Sequence, residues 1–314
     1  MSRGGFSYDP QDAGDVRDTS TRASVRPRRP APPDTRESRN PAPEALGPSD
    51  SAEPREPQPT RDERGDSPRA HYVRDRAYLL RDSEMQSLRE IGKFRVIPVS
   101  DLAKYAYGGN RERMDKEIRH LARQSLLTDK TVEISRKKTL RVVTLTKAGH
   151  RLVKNTNQVR DDQPIYHGLV KPREVKHDAD LYRLYQKEAT RIERGGGRPV
   201  RVLLDYEIKR NLNRDLALLG PEKDDLDRKS HVAEKHHLQL VNGKIPVPDL
   251  RVEYETSELE MRHVDLELAT RDYRPRAMAE KASAGFSLYG RSDDVSRLRR
   301  VLDEQEITAR ILTL

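Results

Sequence analysis

Two acidic positions stand 18 residues apart on segments that alternate like strands. In IPVPDLRVEYE (245–255) the alternation runs toward Asp249. In MRHVDLELAT (261–270) Val264, Leu266 and Leu268 take one face, which leaves His263, Asp265 and Glu267 on the other. Carboxylates on neighbouring strands can hold a divalent cation such as Mg²⁺, with water completing its shell. Such an ion polarises a phosphodiester and makes a nucleophile of water. Asp249, Asp265 and Glu267 are therefore the candidate metal ligands, and a lysine close to them would steady developing negative charge. Paired acids on a strand also occur simply to face basic helices, and that reading stays open. Glu234, His237 and His263 are a further conceivable metal set. No His-Glu-x-x-His pattern supports it, and surface or core histidines are the simpler reading.

A second group of residues suits phosphate rather than metal. RERMDKEIRHLARQSLL (111–127) has helical spacing, with Asn110 as its cap and Met114, Ile118 and Leu121 facing inward. Asn110, Arg111, Arg113, Lys116, Glu117, His120 and Arg123 are the candidates for reaching DNA, with positions 113, 116, 120 and 123 expected to lie away from the core. TVEIS (131–135) and TLRVVTLT (139–146) flank a basic hairpin tip, Arg136, Lys137 and Lys138, which would reach phosphates or the minor groove. Residues 81–153 hold 17 Lys+Arg against 9 Asp+Glu, a surplus of +8. A helix fits the major groove, and cations on phosphates supply affinity. The competing reading is a solvated face on a protein-interaction domain.

The elements that must position these groups fall into two runs. SEMQSLREIGKF (83–94) is a helix capped by Ser83, with Met85, Leu88 and Ile91 as its stripe. SDLAKYAY (100–107) is a second helix, GGN (108–110) a turn, and TKAGHRLV (146–153) opens a further helix. This order of helix, helix, turn, helix, hairpin and helix resembles the winged helix-turn-helix family, and LTKAGHRL (145–152) is similar to the segment after the wing. Beyond the linker QPIYHGLVKP (163–172), the expected order is helix (178–194), strand (200–207), helices (208–219 and 222–241), two strands, helix (274–290) and closing helices (293–314). GGGRP (195–199) follows a helix and lacks a downstream Lys-Ser/Thr, so it is not a phosphate loop.

Pro248-Asp249 followed by Glu267 resembles the core of the PD-(D/E)xK nuclease superfamily. The resemblance implies Asp249 and Glu267 as catalytic metal-binding acids. Ala269 stands where the lysine usually falls, and Lys281 on the next helix would replace it. The two runs together resemble the replication-relaxation family, which combines a winged helix with a nuclease-like domain. That resemblance implies a DNA-binding accessory factor of a plasmid or other mobile element, with a relaxase or replication protein as partner.

Composition frames the rest. Of 314 residues, 33% are hydrophobic and 36% charged, and the formal charge is +9. Residues 1–70 hold 12 of the 20 prolines, a single leucine (Leu46) and two aromatics (Phe6, Tyr8), so they cannot offset the entropy of ordering and read as disordered. With no cysteine, disulfides, thiol catalysis and thiolate metal sites are excluded. No apolar run approaches a membrane span and no apolar leader opens the chain, so a cytoplasmic, nucleoid-associated protein without membrane contact is expected.

The expected fold is α+β or α/β: a disordered tail (1–71), a winged helix-turn-helix (72–157), a linker (158–177) and a restriction-endonuclease-like αβββα core (178–314). The expected function is duplex DNA binding by an accessory or regulatory protein, with a homodimer on two half-sites as one option and no cofactor required. A Mg²⁺-dependent endonuclease using Asp249 and Glu267, and an adaptor that does not bind DNA, remain as alternatives.

Overall fold

The structure, a computed structural model, describes residues 67–135, 138–156, 158–220, 224–270, 273–304 and 311–314. All belong to one compact unit, Gln58–Leu314. The tail reading therefore lies outside the described residues up to position 66. From Arg69 onward it is corrected: β1 (Arg69–Val73) and β2 (Arg76–Leu80) form an antiparallel hairpin. Its inner face buries Val73, Tyr78 and Leu80.

Next come α1 (Asp82–Lys93), β3 (Ile97–Pro98), α2 (Val99–Ala106), α3 (Arg111–Arg123), β4 (Leu127–Ser135), β5 (Lys138–Leu145) and α4 (Lys147–Asn155). Strands β3, β5 and β4, in that order, make a three-stranded antiparallel sheet. Gly108 and Gly109, at φ +56° and +89°, make the turn from α2 to α3, where side-chain-bearing residues would be strained. Asn110 Oδ1 then caps α3 by accepting from Arg113 N at 3.0 Å. The N-cap positions fall at Arg81 and Pro98, two residues before the expected Ser83 and Ser100. Met85, Leu88, Ile91, Leu102, Met114, Ile118 and Leu121 are almost wholly buried in a common core. Each contributes roughly 1.5–3 kcal/mol of burial free energy.

Helix α5 (Pro172–Arg194) starts six residues before the expected point, inside the segment read as linker. Pro172, the last residue of QPIYHGLVKP, opens the helix. At the first helical position its missing N–H costs nothing and its φ is already helical. α5 packs against both sheets. Phe94 lies 5.0 Å from the Tyr182 ring and 5.2 Å from that of Tyr185. Val175 closes a small cluster with Val96, Val132 and Val142 on the β3-β5-β4 sheet. Leu181, Tyr182 and Leu184 share the main core with Val252, Leu266 and Leu268.

That second sheet is built from β6 (Arg198–Leu204), β7 (Leu250–Glu255), β8 (Met261–Ala269), β9 (Ser287–Gly290) and β10 (Ile311–Thr313). Between them run α6 (Asp205–Leu218), α7 (Asp225–Lys235), α8 (Pro275–Ser283) and α9 (Ser292–Glu304). The strand order is β10-β9-β8-β7-β6. β6, β7 and β8 are antiparallel, whereas β9 runs parallel to both β8 and β10. The helix expected over 274–290 ends at Ser283. Gly285, at φ +82°, reverses the chain, and Ser287–Gly290 becomes a buried strand. The last residues likewise form β10 rather than a helix. Among the described residues no helix is long and apolar enough to cross a membrane.

His150 on α4 packs edge-to-face on His167, with ring centroids 4.9 Å apart. Partial burial holds its imidazole below the usual range, and His167, Lys154 and Arg151 push the same way. The folded state thus binds this proton less readily than the unfolded chain. The stability His150 provides is complete above about pH 6.5 and declines as pH falls below it. Urea unfolding between about pH 5 and pH 8 is expected to show this loss, and His150→Gln to flatten it.

Candidate nucleic-acid interface and carboxylate cluster

Helix α3 is anchored by Met114, Ile118 and Leu121, and by a fourth buried residue, Glu117. The Glu117 carboxylate accepts from Tyr107 OH at 2.8 Å, Ser83 Oγ at 3.1 Å and Arg113 Nε at 2.9 Å. This corrects two readings. Glu117 faces inward, and Arg113, though half-exposed, is committed to it. His120 is a third correction. Its Nδ1 lies 2.5 Å from Oε1 of the fully buried Glu84, and its Nε2 lies 2.9 Å from Gln124 Nε2. The inward face is thus wider than its apolar residues suggest, because two carboxylates are buried along it.

The exposed face is centred on Lys116, Arg119 and Arg123, with Arg111 at the start of the helix. Among the described residues none of these four pairs with a carboxylate. Arg119 and Arg123 merely donate to backbone carbonyls one turn back. Spacing counted from Met114 and Ile118 missed Arg119. Counting outward from the middle of the full buried stripe, Glu117 included, finds it. Asn110 spends its side-chain oxygen on the cap. On the wing, Lys138 is the first residue of β5 and exposed, while Arg136 and Lys137 lie outside the described residues. Arg141 is held between Asp129 at 2.6 Å and Asp115 at 2.8 Å.

At the start of β7 the chain brings the predicted acids together. Register pairs Leu250 with Leu266, so Asp249 and Glu267 are the next neighbours across the two strands. Asp249 N donates to Glu267 Oε2 at 3.2 Å, and Leu268 N donates to Asp249 Oδ2 at 2.9 Å. Lys281 reaches over from α8 and donates to Glu267 Oε2 at 2.9 Å and to the Val247 carbonyl. Tyr273 OH, which spacing did not reveal, donates to Glu267 Oε1. Burial pushes the Glu267 carboxyl up, and the Asp249 charge adds to this, against Lys281 and Tyr273. Burial and Glu267 keep the Tyr273 hydroxyl protonated, hence a donor.

These residues do not fit a divalent cation as they stand. Both Glu267 oxygens already accept hydrogen bonds, and Asp249 Oδ1, with His177 Nε2 at 3.8 Å, is the oxygen left over. Asp265 shares the face but is committed to Arg251, which grips it with Nε and Nη2 at 2.6 and 2.7 Å. Among the described residues no group of three or more His, Asp or Glu could hold a metal. That includes the Glu234, His237 and His263 set, although the two imidazoles come within 5.8 Å.

No family model matches the chain, and no curated protein matches it. The resemblance to the replication-relaxation family therefore has no counterpart there. Among solved structures, that of Bacillus subtilis PadR in complex with operator DNA is similar over 48% of this chain and 92% of that one. The sequence identity is 12% and the TM-score 0.20.

Proposed function

We propose that this chain binds duplex DNA, with α3 in the major groove and the β4–β5 wing against the backbone. One observation carries the reading. α3 turns Lys116, Arg119 and Arg123, none of them paired with a carboxylate among the described residues, to solvent while its other face is locked into the core. The element order helix, strand, helix, helix, hairpin supports it, since that arrangement presents one helix to a groove. A role as an accessory factor in replication or transfer of a mobile element rests on the residue resemblance alone.

The test is fluorescence anisotropy on duplex DNA at about 50 and 200 mM salt, with affinity falling steeply between them. Combined Lys116→Ala, Arg119→Ala and Arg123→Ala is expected to weaken binding about a hundredfold and to flatten the salt dependence. All three side chains are exposed, so the thermal midpoint should stay put. Full-length protein that ignores DNA at low salt sinks the reading and leaves the adaptor alternative.

A metal-dependent endonuclease reading keeps one observation in its favour, the meeting of Asp249, Glu267 and Lys281 at a strand end. The closed hydrogen bonding there favours a non-catalytic platform. Adding Mg²⁺ or Mn²⁺ to the same binding reaction decides. Cleavage that disappears in Asp249→Ala would make it an enzyme.

A further inference from the structure

We propose that the β1–β2 hairpin is a second DNA-contacting element, which holds backbone phosphates beside the groove that α3 enters. This rests on the reading of α3 above. Arg76 Nη2 donates to the Gln124 carbonyl at 3.4 Å, and Gln124 Nε2 donates to the Leu79 carbonyl at 3.2 Å. The hairpin is thereby tied to the residue immediately after Arg123, so the series Lys116, Arg119, Arg123 runs on into the hairpin arginines. The Arg76 guanidinium lies 5.0 Å from the centre of the Tyr78 ring, which gives it a fixed platform.

The tip carries a second signal. Residues 74 and 75 join the strands, and Arg74 sits at φ +52°, a region that favours glycine. The tip therefore keeps a long cation where glycine would be less strained, as expected if the side chain is needed for contact. Residues 69–80 hold three arginines against one aspartate. Arg69 pairs with Asp82, whereas Arg74 and Arg76 have no carboxylate partner among the described residues. The opposite, outer face exposes Tyr72 and Leu79, at 70% and 57%, and would suit a protein instead. The tip arginines, continuous with the α3 series, favour phosphate.

The experiment measures the salt dependence of duplex binding for the full chain carrying Arg74→Gly or Arg76→Gln. Each change is expected to lower affinity about fivefold and the salt slope by about one ion. Arg74→Gly should melt no lower than wild type, because it relieves the backbone, so lost binding cannot be lost folding. Wild-type affinity and slope in both variants, while the triple α3 variant fails to bind, overturns the hairpin proposal alone. Absence of DNA binding by the unsubstituted chain overturns the α3 reading and this one with it. A change of oligomeric state in Tyr72→Ser/Leu79→Ser, with the slope untouched by Arg74→Gly, assigns the hairpin to protein contact and also overturns the proposal.

Discussion

Gly149→Ala is expected to destabilise the protein by more than about 3 kcal/mol, a large share of the roughly 5–15 kcal/mol that holds a typical protein folded. A Cβ at position 149 would lie 2.0 Å from the Leu126 carbonyl oxygen and 3.0 Å from its carbon. Both are backbone atoms, so no side chain can swing aside. The carbonyl cannot retreat cheaply either, because it accepts from Thr146 N at 3.1 Å and Thr146 Oγ1 at 3.2 Å. Thr146 in turn caps α4 through Gly149 N. Relieving the clash would lift the start of α4, whose Leu152 and Val153 are fully buried. Chemical denaturation measures the loss. Lys147→Ala, at an exposed position of the same turn, should leave the midpoint unchanged. A Gly149→Ala protein as stable as wild type would show that α4 does not dock this way.

Arg251→Met is expected to cost about 3–5 kcal/mol. Arg251 and Asp265 face each other across β7 and β8, and both side chains are only 8% exposed. The guanidinium also donates to the carbonyls of His236 and His237, at 2.7 and 3.2 Å. His237 sits at φ +52°, so Arg251 fastens a strained turn at the end of α7 to the sheet. Removing the cation strands a buried carboxylate and two carbonyls together. Arg251→Met/Asp265→Leu is expected to recover part of the loss, because the stranded charge goes while the carbonyls stay unpaired. A double variant no more stable than the single one would mean that the carbonyl contacts, not the ion pair, dominate.

Long apolar stripes were the legible part of the chain. Met85, Leu88 and Ile91 define α1 to within a residue at each end, and Val264, Leu266 and Leu268 define β8; Met114, Ile118 and Leu121 place the start of α3, but the helix read to 127 ends at Arg123 and Leu127 opens β4. Short elements were lost where a punctuating residue did something unusual. Arg74 turns a hairpin without glycine, Pro172 starts a helix instead of stopping one, and Gly285 divides what spacing joined. In the candidate site the positions of Asp249, Glu267 and Lys281 could be read, but not their partners. Spacing carries no sign that Tyr273 caps Glu267, that Arg251 occupies Asp265, or that Glu84 engages His120. Those depend on which side chains tertiary packing drives together. Within LTKAGHRL, Gly149 is the position where an added Cβ would meet backbone, 2.0 Å from the Leu126 carbonyl oxygen.

Helix α5 divides its side chains between the two sheets, and its acids do the same. Asp178 holds Arg95 at 2.8 Å, while Asp180 is shared by Arg183, which holds Asp101 of α2 at 2.7 Å, and by Arg291 before α9. The segment 158–177, read as a linker, is therefore not a seam. A chain cut there would strip the cover from Phe94, Val96, Val132 and Val142 and leave the amino-terminal half greasy and half-finished. What reads as two modules joined by a strap is one body with a common spine.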